Sequence, residues 1–255
     1  MEICVCVKRV PMVGGAIMVT PDGLEVDTAM SGFTVSPHEE CAIEEAVQIT
    51  GRLGGSVTVL TLGPPEAAGQ LRDMLALGAS RGILLQTDET EWGPIATAAA
   101  IAGAVRDGGY DLLLFGNEAA DTGGYQVPVR VAHFLGLPCV TGIKGLEVVA
   151  DGDRPSRVVA GREYRGTEET FDLPLPAVVS VKEGINLPRY PSLPGRLRAK
   201  RATIETIEPS WEPDGLRKER LRVPEGAGKK AQVLGTGTGA VPALVSLLDE
   251  LGVLS

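Results

Sequence analysis

Five short segments of the chain, 2–8 (EICVCVK), 56–62 (SVTVLTL), 82–86 (GILLQ), 111–115 (DLLLF) and 177–181 (AVVSV), are apolar at successive positions rather than at every second one. That pattern predicts strands buried on both faces, as in a parallel sheet. Between them the apolar residues recur at helical spacing. Ser36 stands as an N-cap, Pro37 at the first helical position, and Glu39 and Glu40 in the first turn, where the helix dipole favours acids. Ala42, Ile43, Ala46, Val47 and Ile49 then form one face, and Gly51 and Gly54 supply stops. Further helices are predicted over about 65–77, 94–107 and 124–135, with a short strand near 138–141. This alternation predicts an α/β fold: a doubly wound, mostly parallel, Rossmann-type sheet with helices on both faces. Such sheets bind ligands beyond the C-terminal ends of their strands, which points to the loops after 2–8, 56–62 and 111–115.

Elsewhere the pattern changes. Residues 16–27 alternate around a Pro21-Asp22-Gly23 turn and read as a hairpin lying off the core, and 145–173 reads as antiparallel. The strand at 177–181 then runs into an arm, 184–200, stiffened by Pro188, Pro191 and Pro194. Three fixed φ angles and three missing donors predict an extended arm that does not fold back into a helix or central strand. It would present Leu193 to another protein at low ordering cost, or simply link two elements. After Pro209 the chain is polar and glycine-rich until an amphipathic helix at 240–252. The expected division is therefore a nucleotide-binding α/β domain, 1–208, carrying the docking arm, and an extension, 209–255, that packs on a partner subunit or wraps back over the domain.

Charge and composition narrow the function. A formal net charge of −9 opposes binding to nucleic acid, and 4% aromatic content is too little for base-stacking platforms. A basic cluster, Arg196, Arg198, Lys200 and Arg201, follows the prolines and reads as a solvated face or as half of a contact with an acidic partner. No apolar run approaches the ~20 residues that cross a bilayer, so no membrane insertion is expected. An acid at position 2 and no basic region before an apolar stretch argue against a leader, and a cytoplasmic location is expected. Cys4, Cys6, Cys41 and Cys139 include no CxxC pair and read as reduced thiols; Cys4 and Cys6 share a strand face as core filling rather than as metal ligands.

Three loops suit a nucleotide phosphate: Gly116 to Gly124, which leads from a strand into a helix, Ser36 at the head of another, and Gly63-Pro64-Pro65 at a third. The same glycines also serve as plain turns. Asp121 would repel a phosphate if it faced one, so it should cap the turn or point away. Gly235-Thr-Gly237-Thr-Gly-Ala240 fits a dinucleotide pattern but leaves too little chain for a βαβ unit. His38 and His133 are the only histidines and read as helix-start or helix-surface residues. With no P-loop or H-E-x-x-H, the chain reads as a binder without catalytic residues rather than an enzyme.

Taken together, the arm and its strand, VKRV at 7–10, Ser36-Pro37 through Glu44-Glu45-Ala46-Val47, Leu77-Gly78-Ala79, residues 116–138 and the region 162–176 resemble the β (small) subunit of electron transfer flavoprotein, over residues 1–208. The resemblance implies an adenine-nucleotide-hydrolase-like sheet and a heterodimer with a larger α subunit, whose C-terminal domain holds most of a shared redox FAD. It implies a structural AMP in the small subunit, replaced by a second FAD in bifurcating relatives. Electrons would come from flavin dehydrogenases and pass to a membrane-linked quinone oxidoreductase. By position, the nucleotide contacts would be Cys6, Ser36, Pro37, His38, Glu39, Leu62, Asp121, Thr122, Gly123, Gly124, Tyr125, Gln126, Val127, Val129, Arg130 and Val131. Leu193, flanked by Pro188, Arg189, Tyr190 and Pro194, would dock on the dehydrogenases. Departures from the family pattern are Thr122-Gly123 in an acid-rich turn, Pro128 for a glycine, Ser36 for an asparagine, and Arg165 and Met12 for acids; they bear on which nucleotide is bound. The reading from another class is an adenine-nucleotide-binding module that carries no electrons.

Overall fold

A computed structural model describes residues 1–12, 17–88, 92–152, 154–211, 215, 218–223 and 232–254. Its centre is a seven-stranded sheet in which every pairing is parallel. The strands are β1 (Glu2–Val7), β4 (Ser56–Gly63), β5 (Arg81–Gln86), β6 (Leu112–Gly116), β7 (Cys139–Ile143), β11 (Ala177–Val181) and β12 (Ile204–Ile207), in the order β12-β5-β4-β1-β6-β11-β7. Two short strands, β2 (Val10–Pro11) and β3 (Phe33–Thr34), pair antiparallel beyond the end of β1. The continuous apolar runs are explained by cover on both faces. Ile3, Val5 and Val7 pack against Ala42 and Ala46 of helix α1 (Pro37–Leu53) and Leu71 of α2 (Ala68–Leu77). The alternate residues Cys4 and Cys6 pack against Ile101 of α3 (Pro94–Val105) and Val131 of α4 (Val127–Leu135).

This division of the helices fixes where a ligand can enter. The chain leaves β1 into α1 on one face and leaves the neighbouring β6 into α4 on the other, so the loops diverge at the β1/β6 pair. Divergence at adjacent strand ends opens the crevice in which doubly wound sheets bind ligands.

Local chemistry accounts for most element ends. Helix α1 runs through Gly51 and stops at Gly54, whose positive φ of 76° suits glycine. Helix α4 begins only at Val127, because Gly123 and Tyr125 are both left-handed, with φ of 55° each.

The arm requires a correction: it is extended only to Ser192, and Leu193–Arg201 forms helix α5. Pro194 falls at the second helical position, where the missing N–H has no partner to lose, and the Ser192 side chain accepts the Gly195 N–H at 3.1 Å. Gly195 also permits close packing on α2; a Cβ there would lie 2.5 Å from the Ala76 carbonyl oxygen. Strand β12, which adds to the sheet edge at β5, was not expected from the sequence.

Strands β8 (Gly145–Asp151), β9 (Arg154–Tyr164) and β10 (Thr167–Pro174) form the antiparallel sheet expected for 145–173, with Asp153 outside the described residues. A second compact unit joins 17–26 to 220–255. Within it Val19 and Val26 form a single antiparallel bridge, Leu221 N–H donates to the Gly23 carbonyl at 2.7 Å, and α6 (Val241–Glu250) carries exposed Val241, Leu244 and Val245. Of the expected hairpin, Ala16 lies outside the described residues. The glycine-rich stretch at 235–240 is a coil and 3-10 turn leading into α6. Among the described residues no helix is long and apolar enough to cross a membrane.

Candidate functional site

At the C-terminal ends of β1 and β6 three segments converge. Ser36 Oγ donates to the Glu118 carbonyl at 3.2 Å, which ties the head of α1 to the loop after β6. Glu39, at the third position of α1, accepts the Ser36 N–H at 3.0 Å and the Lys8 N–H at 2.9 Å, which ties the same helix turn to the end of β1. Gly116 makes this approach possible, since a Cβ there would lie 2.6 Å from Glu39 Cγ and 3.1 Å from its backbone nitrogen. Lys8 Nζ crosses to Asp121 Oδ2 at 2.7 Å, and Asp121 Oδ1 accepts the Thr122 N–H at 2.8 Å. Asp121 thus both caps its turn and holds the cation.

The electrostatics suit an anion. Burial pushes the Glu39 carboxyl up to about 7, against the opposing pull of the Ser36 and Lys8 donors. Near neutrality it can hold a proton, which removes much of its repulsion for a phosphate. The first turns of α1 and α4 face the crevice with the positive ends of their dipoles, and Gly123 and Tyr125, each at φ of 55°, turn the backbone that leads into α4. These features fit a nucleotide phosphate: Lys8 supplies a cation beside the loop, and the helix heads supply directed dipoles. Among the described residues no group of three or more His, Cys, Asp or Glu is placed to hold a metal.

Most of the residues carried over for the nucleotide fall in or beside this cradle. Ser36, Pro37, His38 and Glu39 form the head of α1, and Asp121, Thr122, Gly123, Gly124 and Tyr125 form the loop, where the Tyr125 hydroxyl donates to the Glu118 carboxylate. Leu62 lies at the end of β4, next to β1. Gln126 and Arg130 bond each other on α4, at 2.8 Å from Nη2 to Oε1, and Val129 is exposed beside them. Cys6 and Val131 have their side chains in the apolar layer beneath, and burial raises the Cys6 thiol well above its ordinary range, with Cys4 adding to the shift.

The arm is a second site with different physics. Leu187 is 89% exposed, Tyr190 95% and Leu193 72%, far above what an apolar core residue shows. Yet the backbone that carries them is pinned to α1. His38 Nδ1 accepts the Glu183 N–H at 2.9 Å; Asn186 Nδ2 donates to the Cys41 carbonyl at 3.0 Å and to Glu45 at 2.9 Å. Arg189 forks onto Glu44, Nε at 2.7 Å and Nη2 at 2.9 Å. Glu44, Glu45 and Asn186 were not singled out from the sequence for this role. The signal was present in part, because two adjacent acids interrupt the side of α1 that turns to the protein. A hollow of about 1130 Å³ lies under the arm, between Gln70, Asp73 and Met74 on one side and Tyr190, Arg196 and Lys200 on the other. Its charges are mixed, with Arg196 acting on the Asp73 carboxyl across it.

Comparison with known proteins agrees with this layout. Residues 24–211 match the family described as the electron transfer flavoprotein domain. The chain is similar to the electron transfer flavoprotein subunit beta of Bacillus subtilis, 34% identical over 210 residues that span 82% of this chain and 79% of the relative. It is similar to the subunit of the same name from Bradyrhizobium diazoefficiens, 33% identical over 258 residues and 100% of both chains. The corresponding Homo sapiens subunit is 34% identical over 213 residues, 82% of each chain.

Proposed function

We propose, from the premise that this chain belongs to the electron transfer flavoprotein family, that it is the small subunit of a heterodimeric electron carrier. It pairs with a larger α subunit, holds a structural AMP in the cradle at the β1/β6 strand ends, and helps hold the FAD of that partner. It accepts electrons from flavin dehydrogenases in the cytoplasm and delivers them to a membrane-linked quinone oxidoreductase. The segment 209–255, with the apolar positions of α6, packs on the partner subunit. The bound flavin supplies the electron chemistry. The chain's own residues bind, orient and dock.

In the cradle, Lys8 and the first turns of α1 and α4 would hold the adenylate phosphate, and Glu39, pushed up to about 7, would carry only part of its charge near neutrality. On the arm, Leu193 enters an apolar socket of the dehydrogenase in a weak, fast encounter of the kind electron transfer needs. The observation that carries this reading is the exposure of Leu193 on a backbone tied down at every turn of α1 that it passes.

The test is kinetic. Leu193→Ala in the heterodimer should raise the carrier concentration for half-maximal dehydrogenase turnover about tenfold, ~1.4 kcal/mol, while the flavin absorption spectrum stays unchanged. Equal half-saturation in the two proteins would remove the arm from the reading.

A further inference from the structure

The arm has no helix or strand between Val181 and Leu193, yet it is tied to side chains and backbone of one helix. His38, Cys41 and Glu45 lie three and four positions apart on α1 and so share a face, and Glu44 flanks it. Glu183, Asn186 and Arg189 of the arm are spaced by three and meet these positions in order, so the arm runs alongside the helix in the same direction. The last tie is the strongest by geometry. Glu44 is only 4% exposed, and its two oxygens accept four donors: Arg189 Nε, Nη2 and backbone N–H, and Gln48 Nε2 at 2.7 Å. A carboxylate offers about four acceptor sites, so this one is saturated. The fork also fixes the guanidinium in its plane, which a single point contact would not do. Immediately beyond Arg189 come Tyr190, Pro191 and the Ser192 cap that starts α5, so this bond fixes the segment leading into Leu193 on one side, as the packing of Gly195 on α2 does on the other.

We infer that Glu44 is a positioning residue for partner docking: through Arg189 it holds the arm in its binding shape before the partner arrives. This rests on the docking reading above and adds to it the residue that sets affinity without touching the partner. Pre-organisation of this kind lowers the ordering cost at binding, so its loss shows in half-saturation rather than in the rate at saturation.

The experiment uses the flavin-loaded heterodimer, with Glu44→Gln, Leu193→Ala and the double variant compared against the parent in dehydrogenase-driven reduction. Glu44→Gln should raise the half-saturating concentration about fivefold to tenfold, with the rate at saturation and the flavin spectrum retained. Amide hydrogen exchange at Arg189, whose N–H is bonded to Glu44 at 3.2 Å, should speed up. In the double variant the two losses should not add, because an arm without its leucine gains nothing from being held. If Glu44→Gln folds poorly, Asn186→Ala breaks the neighbouring tie and should give the same pattern. Faster exchange at Arg189 with unchanged half-saturation, or fully additive losses, overturns the inference alone. A silent Leu193→Ala overturns the docking reading and the inference with it.

Discussion

Glu39 and Glu44 lie on the same helix, five residues apart, and both are buried, yet their acidities move in opposite directions. Burial dominates at Glu39, where the partners are backbone N–H groups and one serine, and its carboxyl rises to about 7. Burial also works against ionisation at Glu44, but the hydrogen bonds from Arg189 and Gln48 outweigh it and bring the carboxyl below its ordinary range. One end of α1 is therefore left with an acid that can shed its charge, next to a cation and two helix heads. Further along, the helix carries a fixed charge that clamps a loop. The cradle combines an acid that can hold a proton with a cation and two helix heads, whereas the arm root holds a carboxylate whose acceptor sites are filled.

The contrast breaks most readily at the cradle. Because the native Glu39 carboxyl lies above its ordinary value of 4.5, the folded chain binds more protons than the unfolded one between about 4.5 and 7. Its contribution is thus fully favourable below about 4.5 and is lost as pH rises through about 7. The stability of the nucleotide-free chain relative to Glu39→Gln should fall by about 3 kcal/mol between pH ~4.5 and ~8 in urea denaturation. A constant difference across that range would mean that the Glu39 carboxyl titrates alike in the folded and unfolded chain.

A steric lesion tests the same end by another route. Gly116→Ala places a methyl group 2.6 Å from Glu39 Cγ, and the pinned side chain cannot swing away. The expected loss is about 2 kcal/mol, read as a lower urea midpoint with unchanged slope. Wild-type stability would show that α1 can move off the strand end.

The smallest effect belongs to the clamp, with the opposite pH sign. Glu44 contributes above the ordinary carboxylate range, and its contribution is lost as pH falls through its depressed native value. Arg189 is half in solvent, so Glu44→Gln should cost only about 1 kcal/mol of global stability near neutrality. The difference from the parent should shrink in acid, where that of Glu39→Gln changes the other way. Parallel pH profiles for the two variants would erase the distinction drawn here.

The sequence made the sheet legible because its strands are covered on both faces and therefore read as unbroken apolar runs. The cradle followed, since the strand-end rule needs only the strand order to be roughly right. Three things stayed hidden. Helix α5 was masked by Pro191 and Pro194, which argue against a helix interior but are tolerated around a helix start. Strand β12 is four residues long at a sheet edge, held beside β5 and by the Arg81–Glu205 pair, and Ile204-Glu205-Thr206-Ile207 has too little pattern to announce itself. The ties that set the arm join residues up to 145 positions apart, and Lys8 meets Asp121 across a similar span, so neither is written in local spacing.

The account stands or falls on what the cradle holds. The chain should be co-produced with its larger partner, the purified pair denatured, and the released nucleotides separated and counted. One FAD and one AMP per heterodimer is the predicted result; two FAD, or a colourless pair free of adenylate, would contradict it.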